Sequence, residues 1–347
     1  MKRQTNTLEV CPCVPLCPLW LKICLALPLA IALASTLACT KGTSAGATAG
    51  ATEKSESAAA TPVPPASAPT DNAPLPHIDS KRAFQYTREV TAFGPRYMGS
   101  ENHRKLERYI VDHLQGDQVE DDAFTTDTVE GKFPVRNIIA KFPGTKDGII
   151  AILGHYDTVY PLRNSGFVGA NDGGSSTAIL LEFANQLRGQ KRDGYSVWLV
   201  WTDGEEAVKT WSDTDSVYGS RHLAEKWEKD GTLKKIKALM VMDMIGDADL
   251  NIDRNTNGAP WLLDLIYAAA ERGGYQSHFY AREGSIEDDH IPFVKRGVPS
   301  ADVIDLDYGY NNVFWHSPQD TMDKLSPKSL EIVGDTILET IHLLDQR

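Results

Sequence analysis

Acidic and histidine residues recur at the ends of short apolar runs in this 347-residue sequence, and their types are those that hold a divalent metal. One run ends in His155-Tyr156-Asp157, the next in Asp203-Gly204-Glu205-Glu206, and a third carries Asp243. Asp172 opens the stretch Asp172-Gly173-Gly174-Ser175-Ser176, and His316 follows Phe314-Trp315. Two histidines with several carboxylates and no sulfur form a nitrogen and oxygen set that suits Zn²⁺. Glu205 and Glu206 are neighbours and point in different directions, so one can ligate an ion while the other faces a substrate as general base. Taken singly, each residue has a plainer reading: Asp172 as a helix N-cap, Glu205 and Glu206 as carboxylates answering a helix dipole, His316 as a loop histidine. Their conjunction at several strand ends favours a metal site, because buried unpaired carboxylates cost several kcal/mol unless a cation or hydrogen bonds compensate.

The elements that must position these groups alternate in type. Residues 148–154, 195–202, 237–245 and 301–306 are near-continuous apolar runs of strand length, as expected for strands covered on both faces. Helical patterns fall at 173–187, 220–229, 259–272 and 326–344. This alternation predicts an α/β fold, a three-layer α/β/α sandwich with a mixed, largely parallel central sheet, whose ligand site gathers at the carboxyl ends of the strands.

Composition is that of a globular enzyme: 41% hydrophobic, 8% aromatic and 24% charged residues exclude a mostly disordered or collagen-like chain. A net charge of -12 argues against a nucleic-acid partner. Cys11, Cys13, Cys17, Cys24 and Cys39 are the five cysteines, so everything after position 39 lacks thiol chemistry and disulfides of its own. Residues 19–38 are almost wholly apolar, with Lys2 and Arg3 upstream, and residues 1–39 read as an export signal. The run Ser35-Thr36-Leu37-Ala38-Cys39 resembles a bacterial lipoprotein cleavage site, although Thr36 stands where Leu is usual. Lipidation at Cys39, ordinary secretion to the periplasm or beyond, and an uncleaved membrane anchor all remain open. Residues 40–76, rich in Ala, Thr, Ser and Pro, are expected to be a flexible linker, and residues 77–347 the catalytic domain.

The sequence resembles the M28 family of zinc aminopeptidases in the order and context of His155, Asp157, Asp172, Glu205, Glu206, Asp243 and His316. Within that superfamily it resembles the glutaminyl cyclases more closely than the aminopeptidases. The carrying segments are Gly204-Glu205-Glu206-Ala207 with Trp211-Ser212, then Asp215-Ser216-Val217-Tyr218-Gly219-Ser220-Arg221-His222, then Glu287-Asp288-Asp289-His290-Ile291-Pro292-Phe293, and finally Val313-Phe314-Trp315-His316. The resemblance implies one zinc held by Asp172, Glu206 and His316, and substrates that are peptides or proteins with N-terminal Gln. It implies that Glu205 shuttles a proton from the attacking α-amine to departing ammonia, with Asp243 and Asp288 completing a carboxylate network. Trp211, isolated in a polar loop, and Trp315, next to the metal histidine, are expected to wall the substrate pocket, whereas Trp198, Trp201 and His290 are expected to be structural.

Three departures from the animal cyclases qualify the likeness. Gly173-Gly174-Ser175-Ser176 looks like the aminopeptidase version of its motif, and Asp302 stands where the animal enzymes have histidine. Gly154 and Thr177 fall where those enzymes have a disulfide. The alternative is therefore a di-zinc M28 aminopeptidase, with His155 and Asp243 on a second zinc, Asp172 bridging, and Glu205 activating water. A non-catalytic surface binding protein is a third reading, opposed by the complete ligand set.

Overall fold

The computed structural model describes residues 73–347; the expected export signal, Cys39 and the linker up to residue 72 lie outside the described residues. The chain enters through helices α1 (Ser80–Thr91) and α2 (Glu101–His113) and the hairpin β1 (Gln118–Thr128) and β2 (Gly131–Phe142). Alternation follows: β3 (Gly144–His155), α3 (Gly174–Leu187), β4 (Arg192–Thr202), α4 (Tyr218–Lys229) and β5 (Ile236–Asp243). A small parallel pair, β6 (Ile252–Asn255) and β7 (Phe279–Gly284), flanks α5 (Pro260–Gly273). The short α6 (Ile291–Val294), β8 (Ser300–Ile304) and α7 (Pro327–Asp345) complete the fold.

The main sheet runs β1-β2-β4-β3-β5-β8. Its first three strands pair antiparallel, and β4, β3, β5 and β8 pair parallel. Side chains of a strand alternate between faces, and β3 shows the consequence. Ile150 and Ile152 join a core with α3, α5 and α7 on one face, while Ile149, Ala151 and Leu153 pack with Leu223 and Trp227 of α4 and Phe293 of α6 on the other. The fold is thus the three-layer α/β/α sandwich with a mixed sheet.

The four predicted strands and four predicted helices correspond to β3, β4, β5, β8 and to α3, α4, α5, α7, with ends displaced by a few residues. The opening helices, the β1–β2 hairpin and the β6–β7 pair have no counterpart in the sequence reading. Trp201 lies fully buried in the larger core, whereas Trp198 is only partly buried, under the Lys141 ammonium 4.0 Å from its ring.

Candidate active site

The carboxyl ends of β3, β4 and β5 deliver His155, Asp203 and Asp243 to one edge of the sheet, beside the loops that carry Asp172, Glu205, Glu206 and His316. Asp172 does not cap α3. Gly173 takes the N-cap position in a left-handed conformation, φ 74°, which a residue with a Cβ adopts only with strain. The Asp172 carboxylate turns instead towards two imidazoles: Oδ1 is 3.3 Å from His155 Nε2 and Oδ2 is 3.3 Å from His316 Nε2. Nor do Glu205 and Glu206 begin a helix, since α4 starts only at Tyr218.

Buried acceptors aim the ligands. The Asp157 carboxylate accepts the backbone N–H groups of Glu205 at 3.1 Å and Glu206 at 3.3 Å, which fixes how the two glutamates diverge. Asp320, four residues after His316, accepts from the backbone N–H of Asn171 at 2.8 Å and of Asp172 at 3.1 Å, and from the Tyr308 hydroxyl at 2.9 Å. Arg96 is fully buried and donates to the carbonyls of Val168, Gly169 and Tyr156, holding the loop that leads to Asp172. The carboxylates of Asp157 and Asp320 and the Arg96 guanidinium are site residues to which the sequence reading gave no role. Asp157 entered that reading only as a member of the run His155-Tyr156-Asp157; Asp320 stands close in sequence to His316, the one signal that could have nominated it, and Arg96 has none, because its partners are backbone carbonyls.

Three donor atoms converge. His316 Nε2 lies 3.2 Å from Glu206 Oε1 and 3.3 Å from Asp172 Oδ2. Both carboxylate oxygens are buried without a hydrogen-bond partner. Ligands about 2.0–2.1 Å from a tetrahedral ion lie about 3.3–3.4 Å from one another, so the triad fits a cation such as zinc, which leaves its fourth position open at a catalytic site. His155, Asp172 and Asp243 form a neighbouring ligand-competent group that shares Asp172. There His155 Nε2 and Asp243 Oδ1 meet in a hydrogen bond of 3.1 Å. His290 belongs to neither group.

Electrostatics follow from burial. Burial raises the Glu206 carboxyl to about 7 against the opposing pull of His316. Burial disfavours the His316 imidazolium, but the Glu206 and Asp172 carboxylates outweigh it and push the ring up to about 11. At Asp172 burial opposes ionisation, and the two imidazoles prevail and hold the carboxyl below its ordinary range. Glu205 is pushed well up by burial and then by Glu206, Asp288 and Asp289, with His155 opposing. Asp243 is raised by burial, and Asp288 well raised by burial and by Asp302, Asp243 and Asp289.

The ligand triad, Glu205, Asp243 and Asp288 all face one cavity of about 580 Å³. Val159, Pro161, Leu162, Trp211 and Trp315 give it an apolar rim. Trp211 is 37% and Trp315 40% exposed, the latter stacked on His316 at 4.2 Å between ring centroids. Trp211 is held by a loop folded around Asp215, whose carboxylate accepts the backbone N–H groups of Val208, Lys209 and Thr210. Beside Gly154, the Thr177 and Ser176 hydroxyls donate to the carbonyl of His155, and a Cβ on Gly154 would meet the Ser176 Cβ at 2.8 Å. Hydroxyl hydrogen bonds therefore join strand to helix there.

Residues 137–341 match the model of Peptidase family M28. The chain is 33% identical over 255 residues to a glutaminyl-peptide cyclotransferase of Drosophila melanogaster, covering 65% of this chain and 70% of that protein. It is similar to the crystal structure of an Acidobacteriales bacterium glutaminyl cyclase, at 48% identity and a TM-score of 0.78 over 80% of this chain and 98% of that one. A Zn-dependent exopeptidase from Parabacteroides distasonis is 26% identical with a TM-score of 0.69, covering 77% of this chain and 99% of that one.

Proposed function

The chain belongs to peptidase family M28, and from that premise we propose that it is a glutaminyl-peptide cyclotransferase, converting the N-terminal Gln of peptides to pyroglutamate with release of ammonia. The observation that carries the chemistry is that Glu205, its carboxyl pushed well up by burial, opens on the same cavity as the convergent donors of Asp172, Glu206 and His316. A carboxyl whose hold on a proton is strengthened in this way can both take one and return it.

Asp172, Glu206 and His316 would hold one zinc ion, which when bound supplies Lewis-acid polarisation of the Gln side-chain carboxamide. Glu205 takes a proton from the substrate α-amine as its nitrogen bonds to the carboxamide carbon. The same carboxyl returns that proton to the departing nitrogen as the carbon–nitrogen bond breaks, so one ammonia leaves for each ring closed. Asp243 and Asp288, buried on the same cavity, complete the carboxyl network around Glu205. Trp211 and Trp315 flank the curled side chain. The attack is intramolecular, so holding the chain in that shape supplies much of the acceleration.

A di-zinc aminopeptidase would take His155 and Asp243 as further ligands. Those two residues and Asp172 also come within ligand spacing of one another, so zinc stoichiometry separates the two readings. Residues 1–39 support an exported protein, tethered through Cys39 if that cysteine is lipidated.

The purified protein, offered a Gln-initiated peptide and a Leu-initiated chromogenic amide, is expected to release ammonia from the first and leave the second intact, with one tightly held zinc per chain. Cleavage of the Leu amide without ammonia from the Gln peptide, together with two zinc equivalents, would replace the cyclase reading by the peptidase one.

A further inference from the structure

A second cavity of about 530 Å³ lies against the first. Trp211, Glu287 and Asp288 line both. The Trp211 indole donates from Nε1 to Glu287 Oε2 at 3.4 Å, so this pair stands as a partition between the two spaces. The far wall comes from α4, through Tyr218, Arg221 and His222, and from β1.

The contribution of β1 is informative. Phe124, Thr125, Thr126 and Asp127 all line the cavity. Successive strand residues point to opposite faces, so a cavity that touches four in a row meets the strand along its edge. β1 is the outermost strand of the sheet, and one side of its backbone carries N–H and C=O groups that no neighbouring strand engages. Such an edge takes up an extended peptide through main-chain hydrogen bonds.

Beside the carboxylates of Asp127, Asp213, Glu225, Glu287 and Asp288, the cations of the second cavity are unevenly spent. Lys295 is paired with Asp213 at 2.9 Å and Arg296 with Glu228 at 3.1 Å. Arg221 has no ion-pair partner among the described residues. Its Nε donates to the Ser216 carbonyl at 3.0 Å and its Nη2 to the Thr214 carbonyl at 3.3 Å, and its guanidinium lies 4.8 Å from the centre of the Tyr218 ring. A half-buried guanidinium held flat by carbonyls and a ring is pre-organised to take a carboxylate.

We propose that the second cavity is a subsite for the residues that follow the N-terminal Gln, binding them extended along the edge of β1, with Arg221 selecting a carboxylate among the first few. This rests on the cyclase reading, in which both reacting groups belong to the first residue and the rest of the peptide must leave the catalytic cavity. The rim at Val159, Pro161, Leu162 and Trp315 offers little to a peptide backbone. On the Trp211 side the Glu287 carboxylate offers an acceptor for peptide N–H groups, and the second cavity continues behind it.

The test compares kcat/KM for ammonia release from glutaminyl amide and from the amidated peptides Gln-Ala-Glu-Ala and Gln-Ala-Lys-Ala. The Glu peptide is expected to exceed the Lys peptide about tenfold, within the range of a charge-assisted hydrogen bond, and raising the ionic strength should shrink the ratio. The ratio should approach one in Arg221→Gln and invert in Arg221→Glu. Because it is taken within each variant, a general loss of activity does not imitate it. Gln-Ala-Ala as free acid against its amide separates a terminal carboxylate from a side-chain one as the group Arg221 takes. Turnover of the Glu and Lys peptides within twofold of each other by the unaltered protein, with glutaminyl amide still cyclised, would overturn the subsite. Failure to release ammonia from glutaminyl amide or any Gln peptide would instead overturn the cyclase reading.

Discussion

Of the three clusters of one histidine and two carboxylates among the described residues, two share no residue, lie at the same end of the sheet and cannot be told apart by residue type. His103, Glu107 and Asp203 form one, and Asp172, Glu206 and His316 the other; each brings ligand atoms close enough to hold a cation. In the first, every proton and lone pair that matters is engaged. His103 Nε2 meets Asp203 at 2.7 Å, its Nδ1 meets Glu107 at 3.1 Å, and the second Asp203 oxygen accepts from the backbone N–H of Arg136 at 2.8 Å. In the second, the facing oxygens of Asp172 and Glu206 have no hydrogen-bond partner and the group opens on a cavity. Unspent lone pairs with access to solvent are what a cation needs, which makes the second cluster the candidate metal site. The satisfied cluster braces the other: Asp203 stands two residues before Glu205, and its carbonyl accepts the N–H of Gly219 at 2.9 Å, tying α4 to the catalytic turn.

The contrast breaks first at the ligands. Glu206→Ala is expected to lose bound zinc and drop ammonia release to background, whereas His103→Gln should keep its zinc; metal analysis of the two purified variants decides. Zinc retained in Glu206→Ala and lost in His103→Gln would invert the assignment. Glu205→Gln should keep the metal and lose about 10²- to 10⁴-fold in kcat, the span of a general acid–base contribution. Retained turnover would remove Glu205 from the proton path.

The satisfied cluster should answer in stability. Burial disfavours the His103 imidazolium, but Asp203 and Glu107 outweigh it and raise the ring to about 10, against 6.5 when free. A folded pKa raised in this way contributes stability that is fully present below about 6.5 and is lost as pH rises through about 10. His103→Gln leaves Asp203 buried without its cation and should cost about 3–5 kcal/mol near neutrality. Denaturant unfolding across that pH window should show a decline in the unaltered protein and a flatter profile in the variant.

What the sequence shows of this fold depends on whether a residue's partners lie in a pattern. β3 and β5 read clearly because they are buried on both faces and their apolar runs are continuous. β1 does not, since it lies on the edge and its one buried side chain is Asp122, held by Asn137 and His222. Asp172, Glu206 and His316 were legible as candidates because acids and histidines gather at and after the ends of the apolar runs. Of their orienting neighbours, Asp157 was legible only as a member of the His155-Tyr156-Asp157 run and Asp320 and Arg96 not at all, because each acts on backbone groups of another segment and no spacing encodes that. The same limit hid His103, whose helix α2 has no counterpart in the sequence reading and presses it against Asp203 from 100 residues away.

Asp288 and Asp302 put the criterion of unspent lone pairs under strain, because Asp288 Oδ2 and Asp302 Oδ1 are also buried without a partner, yet no histidine joins them in a ligand group. A shared proton resolves this. Burial pushes the Asp302 carboxyl up to about 8, with Asp288 in hydrogen-bonding reach and Asn255 Nδ2 donating to Oδ2 at 2.9 Å. At neutral pH the two carboxyls therefore share a proton between them. An amide offers a similar donor and acceptor pair in the same shape, so Asp302→Asn should leave kcat within about threefold of the unaltered value, the smallest of these effects, while Asp302→Leu, which strands Asp288 and Asn255, should lose about 1–3 kcal/mol of stability. The ionisable form also carries a pH signature. A folded pKa raised from 3.8 to about 8 gives stability present below 3.8 and lost as pH rises through about 8, so unfolding free energies of Asp302→Asn should fall less steeply than those of the unaltered protein over that window. Equal slopes would mean that Asp302 is ionised at neutral pH and that its orphan oxygen awaits a cation after all.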